Sequence, residues 1–269
     1  MLHGEPMARS YLRLRQIALV ARALERVERQ LTSVLATEVC FRDPGVGKYG
    51  LHNALWALGG TFLEVVAPVR DDTAGGRYLD RRGGDGGYMC ILDCDDLDAR
   101  RAQLGALGVR VVEDIRAGDA VLWSEAIHLH PRDTGGCLLS VDRHSGGVDM
   151  MGGYRWAGAD WQSKARRDVV ISGAVMQCDD PAATAQRWAR LLGRPAAASA
   201  DGGYQLPLDN AVVRFVPLAD ERGEWLACVL LSCAEPASVL AAATAIGASV
   251  GATSIEVCGV RFVLEPCTG

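Results

Sequence analysis

Four times in 269 residues the chain runs from a short apolar strand into an amphipathic helix, and this repeat limits its fold more than any other feature. The first instance is residues 16–21, followed by the helical stripe Leu24, Val27, Leu31 and Leu35. The second is residues 88–92, an acidic turn at Asp95 and Asp96, then Leu97, Leu104 and Leu107. The third is residues 171–176, the turn Asp179-Asp180-Pro181, then Ala185, Trp188 and Leu192; Asp180 before Pro181 predicts an N-cap and a first-turn proline. The fourth is residues 226–231, Glu235-Pro236, then Val239, Leu240 and Ala243. Each helix is followed by strand candidates that end in an alternating run. These are 37–41, 51–58 and 61–66 in the first unit and 109–112, 126–130 and 137–141 in the second. Residues 212–216 close the third unit and 260–264 the fourth. The reading is an α+β chain of four β-α-β-β-β units, with mixed, largely antiparallel sheets and helices outside.

A stretch rich in glycine and aromatic residues separates units two and three. Gly146, Gly147, Gly152 and Gly153 mark a linker, while Tyr154, Trp156 and Trp161 must pack against something. The expected organisation is an N-terminal domain over 1–144, a linker over 145–167 and a C-terminal domain over 168–269, with Trp156 and Trp161 at the junction.

Composition removes several function classes. A net charge of −5 takes away the electrostatic basis for a nucleic-acid partner. Nine cysteines without a CxxC pair, set in apolar runs, are expected to be reduced thiols of a cytoplasmic protein. No secretory signal is read at the N-terminus, because the apolar residues 17–21 are flanked by arginines. The uncharged run 236–255 is long enough to span a membrane, but its Ala, Ser, Thr, Gly and Pro content makes it a poor one. Arginines 9, 13, 15, 22, 26 and 29, interleaved with Glu25 and Glu28, are expected to form a solvated face. Residues 83–87 (Gly-Gly-Asp-Gly-Gly) precede a strand and lack a Lys-Ser/Thr ending, so they read as an inter-unit loop and not a phosphate cradle. No GxSxG motif supports covalent hydrolysis.

The repeated unit resembles the vicinal oxygen chelate superfamily, which includes glyoxalases, extradiol dioxygenases, methylmalonyl-CoA epimerases and antibiotic-sequestering proteins. Residues 50–64, with Gly50, His52, Asn53, Phe62, Leu63 and Glu64, are similar to the glyoxalase-like branch, where a Gly-x-His-Asn strand precedes a Tyr/Phe-Leu-Glu strand. Residues 130–140 are similar to the matching hairpin of methylmalonyl-CoA epimerases. The resemblance implies two tandem domains, each a curved sheet around a cavity, a small-molecule ligand, and compatibility with a homodimer.

The superfamily's metal ligands sit on the first and last strands of each unit. Carried over, the first unit offers Gln16 and Glu64, the second Met89 and Ser140, the third Gly173 and Arg214, and the fourth Val263. An amide oxygen and a carboxylate suit a divalent ion; a thioether and a hydroxyl do not. The C-terminal domain therefore has no such site. The N-terminal one has half a site, needing His130 or His128 beside Gln16 and Glu64 to reach three ligands. One divalent metal ion, or none, is implied.

Glu64 lies amid Phe62, Leu63, Val65 and Val66; it is either a cavity carboxylate with a raised pKa, fit for acid–base work, or an outward solvated glutamate. His52 is its acid–base partner or a cap of the turn at Gly50. Asn53 orients a ligand or satisfies a strand edge. Gln16, Asn53, His130 and Ser140 form the candidate substrate-binding set. The expectation is a lyase, isomerase or epimerase acting on a small oxygenated metabolite, with Glu64 as acid/base; the alternative is a non-catalytic protein that sequesters a small molecule.

Overall fold

The computed structural model describes residues 10–267, so Arg9 lies outside the described residues. β1 (Leu12–Val20) is buried along its whole length and turns into α1 (Leu24–Leu35), whose Leu24, Val27, Leu31, Val34 and Leu35 form the buried stripe. β2 (Leu51–Leu58) and β3 (Thr61–Pro68) complete the first unit. The connector α2 (Ala74–Arg82) leads to β4 (Gly86–Cys94), α3 (Leu97–Ala106), β5 (Val111–Gly118), β6 (Trp123–Leu129), a single helical turn α4 (Pro131–Thr134) and β7 (Leu138–His144). The second half comprises β8 (Val169–Cys178), α5 (Pro181–Leu192), β9 (Ala197–Ala198), β10 (Tyr204–Pro207), β11 (Val212–Pro217), β12 (Trp225–Cys233), α6 (Pro236–Ala245), β13 (Ser249–Val250), β14 (Ser254–Val257) and β15 (Val260–Pro266).

The strands form two sheets, one of seven strands in the order β2-β3-β1-β4-β7-β6-β5 and one of eight in the order β13-β14-β15-β12-β8-β11-β10-β9. In each unit the first strand pairs parallel with the last (β1 with β3, β4 with β7, β8 with β11, β12 with β15). The two units of a half join antiparallel, through β1–β4 and β8–β12. This is the arrangement of two tandem domains that the resemblance implies. No helix among the described residues is long and apolar enough to cross a membrane, and residues 236–255 fold as α6 and the short strands after it. All nine cysteines are free thiols.

Three elements differ from the sequence reading. Residues 37–41 make only an isolated bridge, Phe41 to Leu55, in place of a strand. α2 occupies part of the inter-unit connection, its Gly75 and Gly76 hiding it from propensity; the Thr73 hydroxyl accepts from Gly76 N–H, and Gly83 closes it at φ +72°. Gly86 and Gly87 belong to β4 rather than to a loop. A Cβ on Gly87 would lie 2.2 Å from the Leu226 carbonyl oxygen, so the first half can approach the second there only through glycine.

Each sheet has a back and a front. The back faces share one apolar core, running from Ile17, Leu63 and Leu92 of the first sheet to Ile171, Phe215 and Leu231 of the second. Asn210 fastens the halves by accepting from Leu14 N–H at 2.9 Å and donating to its carbonyl, also at 2.9 Å. The linker covers the part of the first sheet's front face around Phe62. Tyr154 and Trp161, both buried, pack on Phe62, Leu55 and Ala57. The linker aromatics were expected at the junction between domains; they fold back onto the first half instead. Opposite edges of that sheet also meet, because the turn at Pro44–Tyr49 lays Lys48 and Tyr49 against Glu113 of β5.

Candidate functional site

Strand register brings three polar side chains to one point of the first sheet's front face. Glu64 pairs with Leu55 on β2 and with Ala18 on β1. Asn53 lies two residues from Leu55 and Gln16 two from Ala18, so alternation places both on the face of Glu64. Glu64 Oε1 accepts from Asn53 Nδ2 at 2.6 Å, and Oε2 accepts from Gln16 Nε2 at 2.8 Å. Asn53 is fixed from behind: its Oδ1 accepts from the Asp43 backbone N–H at 2.9 Å, which can only donate. Its amide nitrogen must therefore face Glu64. Gln16 Oε1 in turn accepts from the hydroxyl of Tyr154 at 2.7 Å, and the Tyr154 ring stacks on Phe62 with centroids 4.3 Å apart.

These side chains are buried, and loss of hydration pushes the Glu64 carboxyl up to about 7. The Asn53 and Gln16 donors favour the ionised form and oppose that rise, while the charge of Asp43 adds to it. Near neutrality Glu64 can both take and give a proton. With Oε1 held by Asn53, the proton belongs on Oε2, and Gln16 must then present its amide oxygen there. The Tyr154 hydroxyl, both donor and acceptor, can follow that turn. The row Glu64–Gln16–Tyr154 thus has a hydrogen-bonded arrangement for each protonation state.

A second polar cluster lies further along the same face. Asp142 on β7 accepts from the Ser140 hydroxyl and from Trp156 Nε1, the latter at 2.9 Å, and burial pushes its carboxyl up to about 7. Beside it Arg13 grips Asp93 with two bonds of 3.1 and 2.8 Å. Arg15 is sealed from solvent, donates to the carbonyls of Gly60 and Met150 at 2.6 and 2.7 Å, and sits among the rings of Phe62, Tyr154 and Trp161. Arg13 and Arg15 are therefore not on the solvated face expected of them. A bulge in β1, where the register against β4 slips between Leu14 and Gln16, turns Arg15 and Gln16 to the front together.

The structure joins Gln16, Asn53 and Glu64 and leaves the other sequence candidates apart. His52 pairs with Ala67 on the opposite face of β2, so it does not serve Glu64. His130 caps α4, its Nδ1 accepting from Arg132 N–H at 3.1 Å, and does not bond Gln16 or Glu64. His128 lies 3.6 Å from Glu113. Ser140 is spent on Asp142. Met89 packs with Ala18 and Ile91. In the second half, Arg214 meets Glu265 at 3.7 Å, both partly exposed, and a Cβ on Gly173 would strike the Val212 carbonyl. Tyr154 is read in the sequence only as a packed linker aromatic, and Asp142 is not singled out there; Asp142 could have been found as the front-face neighbour two residues after Ser140.

The donor set does not fit the metal that the resemblance implied. Each oxygen of ionised Glu64 faces an amide N–H, Asn53 cannot turn its oxygen inward, and no histidine among the described residues is bonded to the pair. No group of three His, Cys, Asp or Glu side chains among the described residues is placed to hold an ion.

A family model described as a glyoxalase-like domain matches residues 17–192. No curated protein matches the chain. Among solved structures, a hypothetical protein from Staphylococcus aureus is similar over 95% of this chain and 99% of its own, with a TM-score of 0.66 at 14% identity. A methylmalonyl-CoA epimerase from Streptomyces coelicolor in complex with 2-nitronate-propionyl-CoA is 23% identical over 49% of this chain and 97% of its own, with a TM-score of 0.42. The methylmalonyl-CoA epimerase of Mycobacterium tuberculosis is also 23% identical, over 51% of this chain and 92% of its own, with a TM-score of 0.44. With its matched span running from β1 to the end of α5, the chain belongs to the glyoxalase-like domain family of the vicinal oxygen chelate superfamily.

Proposed function

We propose that the protein is an acid–base enzyme that moves a proton next to a carbonyl group of a small oxygenated substrate, with Glu64 as the base. Epimerisation, isomerisation and lyase chemistry share that step. The observation that carries the reading is the buried Glu64 carboxyl, held by two amides and titrating at about 7, where a general base works best. Asn53 and Gln16 position it, and Tyr154 steadies Gln16. The linker covers the Phe62 side of the carboxylate, which leaves the apolar side, toward Ala18 and Met89, for a substrate.

The test is solvent deuterium uptake, read by mass spectrometry, into a panel of 2-substituted ketones, acids and thioesters. The wild type should label at least one of them, and Glu64→Gln should lower that rate by roughly 10²–10⁴-fold. Saturable binding without labelling in either protein would favour the sequestering alternative. Labelling undiminished in Glu64→Gln would refute the assignment of the base.

A further inference from the structure

The end of α2, the start of β4, the corner between α4 and β7, and residues 222–224 of the second half enclose a cavity of about 530 Å³. Its charge is uneven. Arg81, Arg82 and Arg222 bring three guanidinium groups against a single carboxylate, Glu224. Arg222 is matched outside the cavity by Asp220, with bonds of 2.8 and 2.7 Å. Arg82 donates to the backbone carbonyls of Arg222 and Glu224, which hold it in place without neutralising it. Arg81 forms no ion pair with a carboxylate among the described residues.

One wall is aromatic. Tyr78 and Tyr88 meet edge to face with centroids 5.1 Å apart, and Tyr78 donates to the Gly87 carbonyl at 2.8 Å. The Tyr88 hydroxyl has no protein partner among the described residues. Tyr88 also packs on Ala18 and Met89, so one ring serves both this cavity and the apolar side of Glu64.

We propose that this cavity binds a small organic oxyanion, a phosphate or carboxylate carried on a flat apolar body. Guanidinium groups match such anions with paired N–H donors. Two of them, exposed Arg81 and half-buried Arg82, have no carboxylate partner among the described residues and line one cavity, where their fields add. The body of the ligand lies against Tyr78 and Tyr88. Because the lining comes from both halves, the site exists only in the assembled chain. The binding claim stands whether or not Glu64 is a base.

Calorimetric titration of the full chain with phenyl phosphate, benzoate and neutral benzyl alcohol tests it. At least one anion should bind saturably, with benzyl alcohol roughly ten-fold weaker or more. Which anion binds identifies the oxyanion. Arg81→Ala, at the exposed end of α2, should weaken that anion by about ten-fold while leaving the melting temperature in place. Glu224→Gln should tighten it by removing the like charge. Glu64→Gln should bind it as the wild type does, which keeps this result separate from the fate of the proposed base. Absence of saturable anion binding, equal binding of benzyl alcohol, or indifference to Arg81→Ala would overturn the proposal.

Discussion

A carboxyl that is buried yet titrates near neutrality couples its proton to stability as well as to chemistry. Folded Glu64 holds its proton up to about 7, whereas the unfolded chain releases it near 4.5. Between those values the folded state binds the extra proton, so stability is fullest below the unfolded value and is lost as pH rises through about 7. Asp142 has the same sign and the same upper limit. These two carboxyls should make the melting temperature fall as pH rises from 5 to 7, against the rise contributed by His144 and His128, whose burial lowers their pKa. Relative to wild type, Glu64→Gln should remove part of the fall, and adding Asp142→Asn should remove more; scanning calorimetry across the range decides. Arg15 is the other residue whose removal should be felt throughout the first half. Arg15→Ala strips a caged cation from two carbonyls and three aromatic rings and leaves a void behind. Urea titration should show a loss of about 3–5 kcal/mol.

At the scale of elements, the linker behaves as a third layer on the first sheet and not as a tether. Trp161→Ala should cost about 3–5 kcal/mol by chemical denaturation, because the buried indole packs edge-on to Phe62 and its removal leaves a cavity. Its role was hidden in the sequence, since aromatic residues among glycines announce packing without naming the partner. Local patterns were more informative. The four unit helices begin at Leu24, Leu97, Pro181 and Pro236, where the apolar stripes and turn residues placed them, and β2 keeps both ends of the strand read at 51–58. The Glu64–Asn53 pair was readable because both lie on one hairpin, eleven residues apart. The same alternation separates His52 from Glu64, a constraint present in the sequence as soon as β2 is paired with β3. β1 starts earlier than its apolar run because Arg13 and Arg15 interrupt the pattern. Their partner Asp93 lies eighty residues from Arg13, beyond the reach of any local rule.

At the scale of the molecule, the two halves are not independent bodies. A shared core and the close passage of Gly87 by Leu226 predict one cooperative unfolding transition in calorimetry, not two. Gly87→Ala should lower its midpoint, because the added methyl must push the Leu226 backbone away. Separate transitions for the halves in the wild type would contradict the shared core.

Among the described residues, the second sheet's front face has no counterpart of the linker. Its Val175, Arg214, Cys228 and Val263 are only partly buried, and the Arg214–Glu265 contact is loose. Mutation there meets water rather than a packed neighbour, so most changes should be nearly neutral. Ile171, Phe215 and Leu231, on the other side of the same strands, are locked into the core. Selection therefore acts on the two sides of one sheet with different force. In a saturation scan the outer side should accept most residue types and the inner side few. That freedom makes the outer side the place where descendants of this chain can acquire a new binding surface by single steps, without disturbing the carboxylate in the other half.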